Sequence, residues 1–207
     1  MRMVNMLSGM LAGIVRLKNQ KDFPLALREI DAAGQTLLGI DAVLIRQCSP
    51  AQLMVLLGTD PSLALPRAYI LALLLKEESD IRRETGEEPA AAALGAKSLE
   101  LLLDARAPAG KNLTPEHAER IDGLLAGLSA YSLPAPLLAK VMHYHEACGR
   151  YDRAEDVLFD IVDSDPGFAE EGMQFYRRLL TRSDEDLRAG NLPRDEVLEG
   201  MADLAHR

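Results

Sequence analysis

The sequence predicts an all-α protein, and three observations predict it. Leu and Ala recur every three or four residues along most of the chain, while no convincing run alternates with the period of two that a half-buried strand needs. Aromatic residues make up only 4% of the 207 residues and Trp is absent, so the interior must be filled mainly by Leu, Ala, Ile, Val and Met, which favours closely packed helices. With 48% hydrophobic and 27% charged residues, the balance is that of a globular chain able to bury a core.

The elements follow in order. In "MRMVNMLSGMLAGIVRLKNQ", Met3, Met6, Leu7, Met10, Leu11 and Ile14 recur on one face with Asn5, Ser8, Gly9 and Arg16 between them, which reads as an amphipathic helix rather than a signal peptide. "NQKDFPLALREIDAAG" supplies its partner helix, with Phe23, Ala26 and Ile30 on one face. "CSPAQLMVLL" and "LTPEHAERIDGLL" each open on a hydroxyl N-cap followed by Pro, at Ser49-Pro50 and Thr114-Pro115, and predict short spacer helices. Leu65-Pro66 and Leu133-Pro134 lead into further hairpins, "YILALLLKEESDI" with "RRETGEEPAAAALGAKSLELLL", and "PLLAKVMHYHEA" with "CGRYDRAEDVLFDIVDSDP". Ser183 before "DEDL" and Leu192-Pro193 before "RDEVLEGMADLAH" predict closing helices.

The third hairpin has a particular order. Gly149 can close a helix in the left-handed conformation, Tyr151 fills the angle between the helices, Ala154 is small where their axes meet, and Pro166 ends the unit. This order resembles the tetratricopeptide repeat over residues 135–168, with Leu138 and Met142 where the family prefers Trp and Gly. It recurs at Ala26, Ala91 and Ala154, which are 65 and 63 residues apart (91 − 26 and 154 − 91). The resemblance implies one domain over residues 1–207, an α-solenoid of tetratricopeptide-like hairpins at about 7–40, 72–105 and 135–168 with intervening short helices, and C-terminal helices over 169–207. "DFPLALREIDAAGQTLLGID" and "LLKEESDIRRETGEE" are also similar to segments of an uncharacterised bacterial family of repeat-like proteins, a resemblance that spans most of the chain and implies a fold but no activity.

Charge and motif spacing exclude several functions. A net charge of −9 without a basic block disfavours nucleic acid, and no apolar run reaches the roughly 20 residues of a membrane span. The two cysteines, Cys48 and Cys148, form neither a CxxC clip nor a zinc set, which suits a reducing cytoplasm. Cys148 lies at the negative end of its helix, the wrong place to activate a thiol, and is expected to pack in the hairpin core. His143 and His145 point apart on their helix, so they cannot share a metal. Asp152, Glu155, Asp156, Asp160 and Asp163 form a solvated face, and Phe159, Phe175 and Tyr176 are core. "APAGKNLT" lacks the first Gly and the Ser/Thr of a phosphate loop and reads as a turn. No cofactor, metal or enzymatic activity is predicted.

Partner binding is the remaining expectation. In the repeat family, ligands lie along the first helices of the hairpins, and on this chain that face carries Lys76, Asp80 and Arg83, then Lys140, His143 and Glu146. The resemblance thus implies an adaptor or scaffold for a protein or peptide partner. The alternatives are a homodimer or other homo-oligomer built on the Met-rich first helix or the last helix, and an enzyme with a carboxylate site near Asp80 or Glu146.

Overall fold

The computed structural model of the protein describes residues 2–105 and 114–206, and among them every regular element is helical. The helices are α1 (Arg2–Asn19), α2 (Phe23–Leu38), α3 (Ala42–Gln47), α4 (Pro50–Leu57), α5 (Pro61–Glu84), α6 (Glu88–Asp104), α7 (Pro115–Leu128), α8 (Ala135–Ala147), α9 (Tyr151–Ser164), α10 (Ala169–Leu180), α11 (Asp184–Ala189) and α12 (Arg194–Ala205). The chain divides into two compact units, Met1–Ser132 and Leu133–Arg207. The turn expected at "APAGKNLT" lies outside the described residues apart from Thr114, and so does the Met3 side chain.

Three hairpins, α1 with α2, α5 with α6 and α8 with α9, share one closing turn. After α1, Lys21 is left-handed (φ 60°), its N–H donates to the Lys18 carbonyl at 2.9 Å, and the Asp22 N–H donates to Leu17 at 3.0 Å. After α5, Gly86 (φ 81°) donates to Arg83 at 3.0 Å and Glu87 to Arg82 at 2.8 Å. After α8, Gly149 (φ 69°) donates to Glu146 and Arg150 to His145, both at 3.0 Å. Each pair of bonds satisfies carbonyls that a helix end leaves open. The left-handed residues are 65 and 63 apart (86 − 21 and 149 − 86). Five positions after each stands Ala26, Ala91 or Ala154, all fully buried.

In the first unit α5 is the central helix. Ile70, Leu71, Ala72, Leu73, Leu74 and Leu75 are consecutive and all buried, so the helix is covered on every side, with α1, α2, α4 and α6 packed on it. Ser98 and Ser79 sit buried at the contact with α6; each hydroxyl donates at 2.7 Å, to the Ala72 and Ala91 carbonyls. Buried carboxylates follow one turn later. Glu77 pairs with Lys18 of α1 (2.5 Å) and Lys76, and Glu78 takes the two-pronged Arg46 guanidinium of α3 (2.9 and 3.1 Å) together with Arg82. Two adjacent buried charges persist because each has two cationic partners. Lys97 of α6 donates to the Ile45, Arg46 and Cys48 carbonyls at the end of α3, and Arg67 donates to Leu38 and Leu57 at the ends of α2 and α4.

The short helices begin where expected: Ser49 caps α4 with a reciprocal Gln52 bond, Thr114 caps α7 and Ser183 caps α11. Two details differ. Pro66 lies inside α5 rather than opening it, because Asp60 caps the helix and Pro61 occupies its first turn. Met6 is half exposed, while Leu7, Ile14 and Leu17 form the buried face of α1.

In the second unit α10 and α12 pack together and α9 supplies the facing stripe Ala154, Leu158, Ile161 and Val162. Phe175 and Tyr176 are fully buried, as the sequence predicts, and Phe159 is half-buried. The first N–H groups of α9, on Tyr151 and Asp152, donate to the Gly190 carbonyl after α11 (3.1 and 3.2 Å), a backbone cap from a distant turn. Glu155 departs from the solvated acidic face: it is half-buried and accepts the Tyr176 hydroxyl at 2.7 Å. Cys148 is half-exposed at the α8 cap rather than in the core, because the turn at Gly149 carries it to the helix end.

Candidate functional site

Spacings of four and three residues put Lys76, Asp80 and Arg83 on one face of α5. Asp80 accepts from Lys18 and Lys76, both at 2.8 Å, and the Arg83 guanidinium stands 3.8 Å away. Burial alone would raise the Asp80 carboxyl, but the hydrogen bonds from Lys18 and Lys76 outweigh it and hold the group below its ordinary range. Asp80 is therefore a fixed anion that anchors the two lysines.

This face opens into a cleft of about 460 Å³ among α5, α6 and α7, within the first unit. Leu73, Leu102, Leu124 and Leu128 line its apolar side. Gly95 of α6 and Gly123 and Gly127 of α7 also line it; Gly123 faces open space among the described residues, whereas a Cβ at Gly95 would press on Ser79 and Leu128, so that glycine serves close helix packing. Around the apolar part stand Lys76, Asp80 and Arg83 from α5 and Glu116, Glu119 and Arg120 from α7. The volume is within the range of small-molecule and side-chain pockets, and an apolar floor with a few charged groups is their usual make-up.

The charges around the cleft are unequally engaged. Arg120 donates to Glu116 at 2.8 Å, yet its Nε is buried with no hydrogen-bond partner among the described residues. Arg83 donates one long bond, 3.4 Å, to the Gly127 carbonyl. Its planar group carries five N–H donors, so most remain open among the described residues. The α7 residues escape a reading of the sequence because only the packing of α7 on α6 brings them opposite α5. The signal available was Gly123 and Gly127, four apart on one face of a helix.

Lys140, His143 and Glu146 lie on α8 in the second unit. His143 has one partner on its own helix and one beyond it: Nδ1 stands 3.6 Å from Glu146 and Nε2 3.6 Å from Glu171 of α10. Glu146 receives the Arg178 guanidinium of α10 on both oxygens at 2.8 Å. Burial would raise the Glu146 carboxyl, but His143 and Arg178 outweigh it and bring it down to about 2. His143 and Glu146 thus fasten α8 to α10. Among the described residues no group of three His, Cys, Asp or Glu side chains could hold a metal ion, and no helix is long and apolar enough to cross a membrane.

No curated protein and no solved structure matches the chain. A family model does match it, from residue 1 to residue 207. The chain belongs to that family, a family of unknown function designated DUF6483.

Proposed function

We propose that the protein is a non-enzymatic adaptor, a cytoplasmic bacterial scaffold of tetratricopeptide-like hairpins arranged as an α-solenoid, which holds a protein or peptide partner in the α5–α6–α7 cleft. The supporting observation is the cleft itself, where a leucine-lined hollow is ringed by charges from two helices. Apolar contact would supply most of the affinity, and the charged groups would set orientation and partner choice. The recurring hairpin closure at Lys21, Gly86 and Gly149 favours a repeat protein, a class that works by presenting surface.

Affinity capture from lysate of the source organism tests the proposal, comparing the wild type with an Arg83→Ala/Glu119→Ala variant. Both substitutions remove cleft charges that make few internal contacts, so the fold should survive. Loss of the partners held by the wild type is expected, and an unchanged set counts against the cleft. A second reading is a homo-oligomer. Its motive is the exposure of Val43, Leu44, Val55, Leu56 and Leu63 on α3, α4 and the start of α5. A monomer mass by light scattering at high concentration would remove it.

A further inference from the structure

We infer that the α5–α6–α7 cleft takes a small zwitterion with an apolar body, of the class of a free apolar amino acid or an apolar dipeptide. The inference rests on the reading of the cleft as a binding site, though not on the partner's being a protein. Two opposite charges in the wall are weakly engaged: Arg83, whose pair with Asp80 is loose at 3.8 Å, and Glu119. Asp80 is engaged by Lys18 and Lys76, and Glu116 by Arg120. Arg83 keeps open donors after its long bond to Gly127 and its loose 3.8 Å contact with Asp80, and Glu119 makes no ion pair among the described residues.

Arg83 is on α5 and Glu119 on α7, with Leu73, Leu102, Leu124 and Leu128 lining the same cleft. A ligand carboxylate would meet Arg83, which matches it with two parallel N–H bonds. A ligand ammonium would meet Glu119, and an aliphatic side chain would lie against the leucines. The buried Arg120 Nε supplies a further donor in the wall with no acceptor of its own among the described residues. A purely anionic ligand would leave Glu119 opposed to it, and a purely cationic one would leave Arg83 so. The combination of charges selects for both signs on one molecule.

Gly123 offers a clean way to close the site. It lines the cleft, a Cβ there would meet no heavy atom of the described residues within 4 Å, and it lies inside α7, where Leu is a better helix former than Gly. Gly123→Leu therefore fills the space without disturbing the fold, which circular dichroism would verify. Calorimetric titration of the full chain would use L-leucine, L-leucyl-L-leucine, isocaproate (leucine without its amine), isoamylamine (leucine without its carboxylate) and N-acetyl-leucine amide.

The expected result is binding of leucine or dileucine at least about tenfold tighter than either single-charge analogue, one charge-assisted hydrogen bond being worth that much. Which of the two binds more tightly separates the amino acid from the dipeptide. Arg83→Gln and Glu119→Gln should each weaken it by about tenfold or more, and Gly123→Leu should abolish it. Isocaproate binding as tightly as leucine overturns the inference, as does the absence of heat from both zwitterions up to about 10 mM. If Gly123→Leu also loses partners in the lysate capture while neither zwitterion binds, the zwitterion is refuted and the adaptor stands. Zwitterion binding with an unchanged lysate capture supports the inference and removes the adaptor role of the cleft.

Discussion

Of the three hairpin turns at Lys21, Gly86 and Gly149, the first is closed by a non-glycine residue, and replacing Lys21 by Gly should stabilise the first unit. Its φ of 60° costs an L-residue about 1–2 kcal/mol, whereas Gly takes the conformation freely. Against this, Gly gains about 0.5–1 kcal/mol of backbone freedom in the unfolded chain. Lys21→Gly should therefore gain about 0.5 kcal/mol, and the reverse change should cost at the sister sites. A Cβ at Gly86 or Gly149 meets nothing within 4 Å among the described residues, so the cost there is the same backbone balance reversed, about 0.5 kcal/mol for Ala. Gly190 separates space from conformation. Its φ of −84° suits any residue, but a Cβ there overlaps the Tyr151 ring and comes within 2.7 Å of the Gly149 carbonyl oxygen. Gly190→Ala should thus cost about 3 kcal/mol through overpacking. Urea unfolding followed by circular dichroism reads all four variants. Destabilisation by Lys21→Gly, or a neutral Gly86→Ala, would refute the view that these three turns are one motif.

Three further outcomes are expected. Lys97→Met removes the donor shared by three carbonyls at the end of α3 and should cost about 2 kcal/mol in the same urea assay. Glu146, lowered from 4.5 to about 2, contributes stability above pH 4.5 that is lost as pH falls towards 2. Screening of the half-exposed Arg178 and His143 reduces this to about 1–2 kcal/mol, so Glu146→Gln should lower stability by that amount at pH 7 and by much less near pH 2, in urea melts across the range. Glu155 has the opposite sign. Burial raises its carboxyl, with Tyr176 opposing and the neighbouring acids Asp156, Glu196 and Asp152 adding to the rise, so its contribution is greatest below its ordinary 4.5 and is lost as pH climbs through the raised value. Glu155→Gln, which still accepts from Tyr176, should therefore stabilise the second unit at pH 7 and lose that advantage at pH 4.

The helices were legible in the sequence because their signals are local. Ser49, Thr114 and Ser183 act as caps through bonds to residues three positions on, and Gly149 bends the chain through its own φ. Pro66 reads as a helix start because proline is favoured there, but Asp60 and Pro61 carry the same signals six and five residues earlier and open α5. The buried ion pairs were not legible. Glu77 and Glu78 look like any solvated pair, and their partners Lys18 and Arg46 lie 59 and 32 residues away. The candidate site was half visible for the same reason: Lys76, Asp80 and Arg83 follow from the period of one helix, whereas Glu116, Glu119 and Arg120 join them only through tertiary packing.

Amide hydrogen exchange on the full chain, with and without the captured partner, tests most directly whether the cleft is where the protein binds. Slowed exchange confined to α6, α7 and the part of α5 from Leu73 onward, and absent in Gly123→Leu, is the predicted result. Protection elsewhere, on α3 and α4 or in the second unit, with α5, α6 and α7 unchanged, would contradict it.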